Sequence, residues 1–229
     1  MDIRNANIAV AETTVDTTCD EMLVIEKRQV YSFIKRCSDI LLSLFGLIVL
    51  LPVLLIVALI IVIDSPGASP LYTQERVGKN NRLFKIIKFR TMVPNADKML
   101  DALLDKNEMD GPVFKIKNDP RITRFGKIMR MTSIDELPQL WNILVGEMSF
   151  VGPRPPLLRE VEQYNAYQSQ RLMVTPGLTC YWQVQPKRNS LSFDEWLELD
   201  LKYIKERGFK TDAIIIFKTI GAVCGLEGE

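Results

Sequence analysis

Residues Ile40–Ile63 read ILLSLFGLIVLLPVLLIVALIIVI, an almost unbroken apolar run in which Ser43 and Gly46 are mild exceptions. At ~24 residues it is long enough to cross a hydrocarbon core about 30 Å thick as a helix. A signal peptide fits badly, because the leader before the run is long and acidic. A buried helix of a soluble protein fits badly too, since a helix this long normally keeps a polar face. The run predicts insertion into a membrane. Pro52 lies near its middle, where it deletes the hydrogen bond to the Ile48 carbonyl and forces a kink. Both flanks are basic, with Lys35 and Arg36 before and Arg76, Lys79, Arg82, Lys85, Lys88 and Arg90 after. The positive-inside rule therefore selects no orientation for a spanning helix. A helix that enters, breaks at Pro52 and leaves on the same face satisfies the charges. An ordinary kinked span stands as the alternative.

Outward from this run the chain divides into a flexible N-terminal tail (1–30), the membrane segment (31–66) and a catalytic-sized remainder (67–229). The tail is Thr-, Asp- and Glu-rich, without apolar periodicity. The whole chain has 229 residues, a formal net charge of +1 and no histidine. Near-neutrality argues against a nucleic-acid partner. The missing imidazole leaves acid–base work to Asp, Glu, Lys, Tyr or Cys. Cys19, Cys37, Cys180 and Cys224 are scattered without C-x-x-C spacing, so neither a zinc site nor a disulfide framework is expected.

Alternation on both sides of Gly78-Lys79-Asn80-Asn81 predicts a β-hairpin from Leu71–Val77 and Leu83–Arg90. Helices are expected over Pro94–Asn107, Thr123–Met131, Pro156–Thr175 and from Ser192 or Asp194 to Glu206. A short strand is expected at Val113–Lys117 and a turn at Asn118–Arg121. The apolar stretch 213–220 is too short to span and suits an interface or a core. The fold class is α/β, mostly helical with a small hairpin.

Asp135 and Glu136 stand at the start of a helical stretch, with Arg130 just upstream. Ser133 and Glu136 have capping-box spacing. A carboxylate at a helix start feels the positive end of the dipole and stays ionised. Such a group is a nucleophile towards phosphorus, and its neighbour suits a divalent cation. Gly152-Pro153-Arg154-Pro155 is a rigid turn carrying one arginine fork suited to phosphate. Lys88, Arg90 and Arg124 add positive charge. Pro176 and Gly177 open a loop in which Trp182 could stack on a base and Gln183 read its edge, although a core anchor is the commoner use of such a tryptophan. By spacing alone none of these features is specific.

Their order is. Lys88-Phe89-Arg90-Thr91-Met92, Asn118–Gly126, Asp135–Asn142, Met148–Pro155 and Pro176–Thr179 follow one another as in the bacterial sugar transferases, which the chain closely resembles over roughly residues 31–225. These are monotopic polyprenyl-phosphate phosphoglycosyl transferases. The resemblance implies transfer of a sugar-1-phosphate from a UDP-sugar to undecaprenyl phosphate, with release of UMP, on the cytoplasmic face of the bacterial inner membrane. It implies Asp135 as nucleophile, Glu136 as Mg²⁺ ligand, Arg130 and Arg154 as phosphate and nucleotide contacts, and Pro52 as the break of a re-entrant helix. Interfacial amphipathic helices and a minimal catalytic form are implied as well. Downstream glycosyltransferases are the expected partners, with a homodimer left open. The sequence departs from the family at Leu51, often Ser, at Cys180, usually Gly, and at Gln185-Pro186-Lys187-Arg188, where Gly-Arg is usual. The reading of a different class is a membrane-anchored scaffold whose basic face docks anionic lipid.

Overall fold

The computed structural model describes residues 22, 23, 26, 28–114, 116, 118–185 and 190–224. The expected flexible tail falls largely on residues 1–21, outside the described residues, as do Lys187 and Arg188.

Helix α1 (Gln29–Asp64) runs for 36 residues and passes through Pro52 without leaving the helical state. The break expected at Pro52 is thus a defect inside one helix, a missing donor in the ladder, and not the end of an element. Only Tyr31, Asp39, Ser43, Val57 and Ile61 of α1 are buried. Leu41, Phe45, Ile48, Leu55 and Leu59 are each more than 60% exposed. An apolar face of that extent is poorly solvated by water. Among the described residues α1 is the one helix long and apolar enough to cross a membrane by length and composition.

The hairpin forms as the alternation predicts. Strands β1 (Leu71–Val77) and β2 (Leu83–Phe89) pair antiparallel with Leu71 opposite Phe89. Asn80 and Asn81 supply the positive φ angles of 55° and 60° that close it, a conformation asparagine tolerates. In place of a helix over Pro94–Asn107 there are two 3₁₀ stretches, Ala96–Met99 and Asp101–Lys106. Asn95 at φ 65° diverts the chain just after Pro94. The strand expected at Val113–Lys117 is absent at Val113 and Phe114. Those side chains instead pack on a tryptophan cluster and on the Arg121 guanidinium.

Helix α2 (Arg124–Met131) begins where Thr123 Oγ1 accepts from the Gly126 amide at 2.9 Å. Helix α3 (Leu140–Val145) and strand β3 (Ser149–Val151) follow. The continuous helix expected over Pro156–Thr175 is broken into α4 (Leu158–Val161), α5 (Ala166–Ser169) and a 3₁₀ turn at Gln170–Met173. The break has a local cause: Asn165 caps a new start by accepting from the Gln168 amide at 2.8 Å. Strand β4 (Gly177–Thr179) pairs parallel with β3, a contact too short to show alternation in the sequence. Helix α6 (Phe193–Glu206) opens on a capping box of Ser192 and Glu195, and α7 (Phe209–Cys224) closes the described chain.

The two halves of α1 pack on opposite ends of the hairpin. Leu47 and Leu50 meet Phe84, Ile86, Leu140 and Met148. Beyond Pro52, Val57 and Ile61 meet Phe89 and Met129. The start of α1 is fastened to α7, where Asp212 accepts from Tyr31 at 2.8 Å, Lys35 at 2.6 Å and Tyr203 at 2.9 Å. Arg36 donates to the carbonyls of Ile143 and Leu144, which end α3. A second core gathers Val151, Leu197, Leu201, Ile204 and Ile215 between β3, α6 and α7. Arg171 and Asp200 form an ion pair inside it, both almost wholly buried.

The β3–β4 contact depends on two glycines whose backbones touch. A Cβ on Gly177 would lie 2.0 Å from the Gly152 amide nitrogen, and neither neighbour can yield without moving backbone. Gly177→Ala is therefore expected to cost about 3 kcal/mol of stability through overpacking. Gly221→Ala, where nothing lies within 4 Å, is expected to change little. Thermal unfolding of the detergent-solubilised protein measures both.

Candidate active site

The carboxylate dyad lies on a 3₁₀ turn, Ile134–Gln139, wedged between α2 and α3. Ser133 starts it at φ 55° and ψ 17° and makes no side-chain capping bond. The capping box suggested by Ser133 and Glu136 is therefore not formed. A left-handed residue reverses the path too sharply for its hydroxyl to reach back. The left-handed region is strained for a serine, and strain of this kind gathers at functional sites. In a 3₁₀ turn residues three apart eclipse. Glu136 and Gln139 therefore share a face, while Asp135 is rotated about 120° from it.

Asp135 is 7% exposed. Glu136 is more open and pairs with Lys88 at 2.6 Å, each side chain about one quarter exposed. Lys88 is aimed by a clamp of one residue. Asn142, 1% exposed, accepts from the Ile87 amide at 3.1 Å and donates to the Lys85 carbonyl at 2.8 Å and to Glu147 at 2.7 Å. This fixes β2 against α3 immediately before the lysine. An unpaired amide at that depth would cost ~1–3 kcal/mol, so the clamp resists slipping.

A pocket opens beside the pair, lined by Arg76, Lys88, Glu136, Gln139, Arg154 and Gln183, with Gly177 also at its wall. The Gly152–Pro155 turn enters it because β1 holds that turn. The Val77 amide donates to the Pro156 carbonyl at 2.9 Å, and Arg76 donates to the Pro155 carbonyl at 3.1 Å. Burial first, then the Arg154 charge, pull the Arg76 guanidinium down to about 10. It remains a cation at neutral pH. Arg154 stands 5.9 Å above the Trp182 ring.

The sequence-predicted residues are brought together in part. Lys88, Glu136, Arg154, Gly177 and Gln183 share the pocket, and Asp135 adjoins it through the chain. Arg130 sits at the end of α2 and donates to the Thr91 hydroxyl at 3.0 Å. Arg90 turns elsewhere, to the Ser69 carbonyl and the Tyr72 ring. Arg124 is exposed on the first turn of α2 and does not line the pocket. Pro176 is buried behind Gly177. Trp182 does not offer its ring to a base: it is 2% exposed and stacks on Trp196 with centroids 4.3 Å apart. The core reading of that tryptophan holds, because a second indole covers its face. Cys180 is buried, its thiol pushed well up by desolvation, and it donates to Gln183 Oε1 at 3.4 Å. It acts as an orienting donor and not as a nucleophile.

Two pocket residues, Arg76 and Gln139, escaped the sequence reading as site residues. Arg76 was one charge among many on a strand, and Gln139 lay inside a recognised motif without a chemical role. No group of three or more Asp, Glu, His or Cys side chains able to hold a metal occurs among the described residues.

Comparison with known proteins fits this geometry. The model of the bacterial sugar transferase family matches residues 30–225. The chain is 44% identical over 201 residues to the UDP-galactose-lipid carrier transferase of Erwinia amylovora, covering 86% of this chain and 41% of that protein. It is 40% identical over 199 residues to the exopolysaccharide production protein ExoY of Sinorhizobium fredii, covering 85% of this chain and 87% of that protein. It is 40% identical over 203 residues to the undecaprenyl-phosphate galactose phosphotransferase of Salmonella typhimurium, covering 86% and 41% respectively. The chain spans about half the length, or less, of several curated relatives it matches. Since the match runs through nearly all of α1, the dyad and its pocket to the end of α7, the chain belongs to the bacterial sugar transferase family.

Proposed function

We propose that this chain is a membrane-bound phosphoglycosyl transferase that moves a sugar-1-phosphate from a UDP-sugar to undecaprenyl phosphate. The observation that carries the reading is the half-open Lys88–Glu136 pair beside buried Asp135, in a pocket walled by the Arg76 and Arg154 guanidiniums. Carboxylates next to a cation-rich cleft suit a diphosphate. The names of the relatives, which specify UDP-galactose, a lipid carrier and undecaprenyl phosphate, support the same substrates.

The reaction balances in two displacements. An Asp135 oxygen bonds to the phosphorus bearing the sugar, and the bond to the UMP oxygen breaks. An oxygen of the lipid phosphate then attacks that phosphorus and releases Asp135, leaving a polyprenyl diphosphate sugar. Arg154 and Lys88 hold phosphoryl oxygens through both steps, and Arg130 at the end of α2 adds charge behind the dyad. Glu136 fits as the single protein carboxylate for Mg²⁺, which usually relies on one or two carboxylates plus substrate phosphates. A bound Mg²⁺ would neutralise charge developing on the diphosphate.

The membrane reading follows from how α1 lies. Its contacts with the rest of the chain run from Tyr31 at one end to Ile61 at the other, on both sides of Pro52. A helix spanning a core about 30 Å thick could not keep a charged domain against both ends. The arrangement supports a helix that bends at the Pro52 defect, entering the cytoplasmic leaflet of the inner membrane and returning, with its exposed apolar face in lipid.

Asp135→Asn is expected to abolish UMP release and the covalent sugar-phosphate adduct, read by mass spectrometry of the intact protein. Full turnover by that variant would sink the mechanism. Glu136→Gln is expected to raise the Mg²⁺ concentration needed for half-maximal rate at least tenfold. For topology, single cysteines replacing Ser32 and Ser69, in a background with Cys19, Cys37, Cys180 and Cys224 replaced, are expected to react with an impermeant maleimide from the same face of sealed vesicles. Labels on opposite faces would refute the re-entrant reading.

A further inference from the structure

Two donors in the pocket have no role in the chemistry described above. Gln139 is 2% exposed, and its Nε2 amide has no hydrogen-bond partner among the described residues. Arg76 is 8% exposed; its two terminal nitrogens are committed to the Pro155 carbonyl and to Gln74 Oε1, but its Nε has no partner among the described residues. Buried donors are normally satisfied, and each one left unmade lowers stability. Here two occur on the wall of one pocket, together with Lys88, Glu136 and Arg154.

Resting on the proposed function, we infer that Gln139 Nε2 and Arg76 Nε donate hydrogen bonds to phosphoryl oxygens of the bound substrate, completing the pocket as a substrate-binding pair. Both groups are donors, so they require an acceptor. The eclipsed 3₁₀ turn sets Gln139 on the face of Glu136, towards the diphosphate position. Arg76 and Arg154 are like charges at one cleft, and an anionic oxygen between them removes their repulsion as it fills the open Nε. The guanidinium cannot swing away, because Pro155 and Gln74 hold its other two nitrogens. The nucleotide diphosphate is the assigned source of the oxygens; the lipid phosphate has the same chemistry.

The test uses the whole chain in nanodiscs, with UDP as the binding probe and UMP release as the kinetic assay. Gln139→Met keeps the side-chain volume and removes the donor. It is expected to melt at or above the wild-type temperature, because an unmade buried donor is gone. UDP affinity is expected to fall about tenfold, with a matching rise in KM for the UDP-sugar. Arg76→Lys, which keeps the charge but loses Nε, is expected to weaken UDP in the same direction. A rise confined to the KM for polyprenyl phosphate keeps the phosphoryl contact and assigns it to the lipid. Variants that bind and turn over like wild type overturn the inference and leave the proposed function standing. If Gln139→Met and the smaller Gln139→Leu both melt well below wild type with unchanged UDP affinity, the amide is structural and the inference falls. Wild-type protein that neither binds UDP nor releases UMP from any UDP-sugar removes both readings.

Discussion

Asp212 on α7 accepts hydrogen bonds from Tyr31, Lys35 and Tyr203, and much of the molecule hangs from that carboxylate. It joins the polar start of an otherwise apolar helix to the C-terminal pair α6–α7. Tyr203 passes the connection on to the Val151 carbonyl at 3.0 Å, the last residue before the glycine crossing and the Arg154 turn. An apolar, exposed helix is thereby tied to the loop that carries Arg154 into the pocket. Three acceptor contacts on one buried charge are stronger together than a surface pair, because low local dielectric reinforces each of them. If α1 moved relative to the domain, the β3–β4 contact and Arg154 would have to follow.

The other end of the same constraint is the hairpin. Its inner residues Phe84, Ile86 and Phe89 bind both halves of α1, while Lys88 in the same strand reaches Glu136. Burial in β2 alternates up to Ile86 and then extends to both faces at Ile87–Phe89, so one strand serves two neighbours. Asn142 secures the strand by bonding to the backbone on both sides of Ile86. Ile86 and Lys88 share one face and both line the pocket, while Phe89, on the other face, packs on Val57 and Ile61.

Much of this was legible in the residues, for reasons that differ from element to element. The apolar run, the hairpin turn and the Ser192 cap each write their structure locally, in hydropathy, in Gly/Asn positions and in a capping box. The dyad and its arginines gained meaning only from their order along the chain. What could not be read was decided by contacts between distant segments. The β3–β4 pair is three residues on each side and has no periodicity of its own. Trp182 is withdrawn from the pocket by Trp196, a residue on another helix. Ser133 and Glu136 have the spacing of a cap, but a left-handed backbone at Ser133 turns the stretch into a 3₁₀ turn, and that choice sets which side chains face the pocket.

That turn also explains the division of labour between adjacent carboxylates. On an α-helix Glu136 would have Leu140, its i+4 neighbour, on its own face. On the 3₁₀ turn it has Gln139, a donor. The pocket thus presents three cations, one carboxylate and two amides, while Asp135 is largely covered. Glu136 is engaged by Lys88 at 2.6 Å. The 3₁₀ geometry turns two carboxylates, one residue apart, to different faces, one buried and one about a quarter exposed.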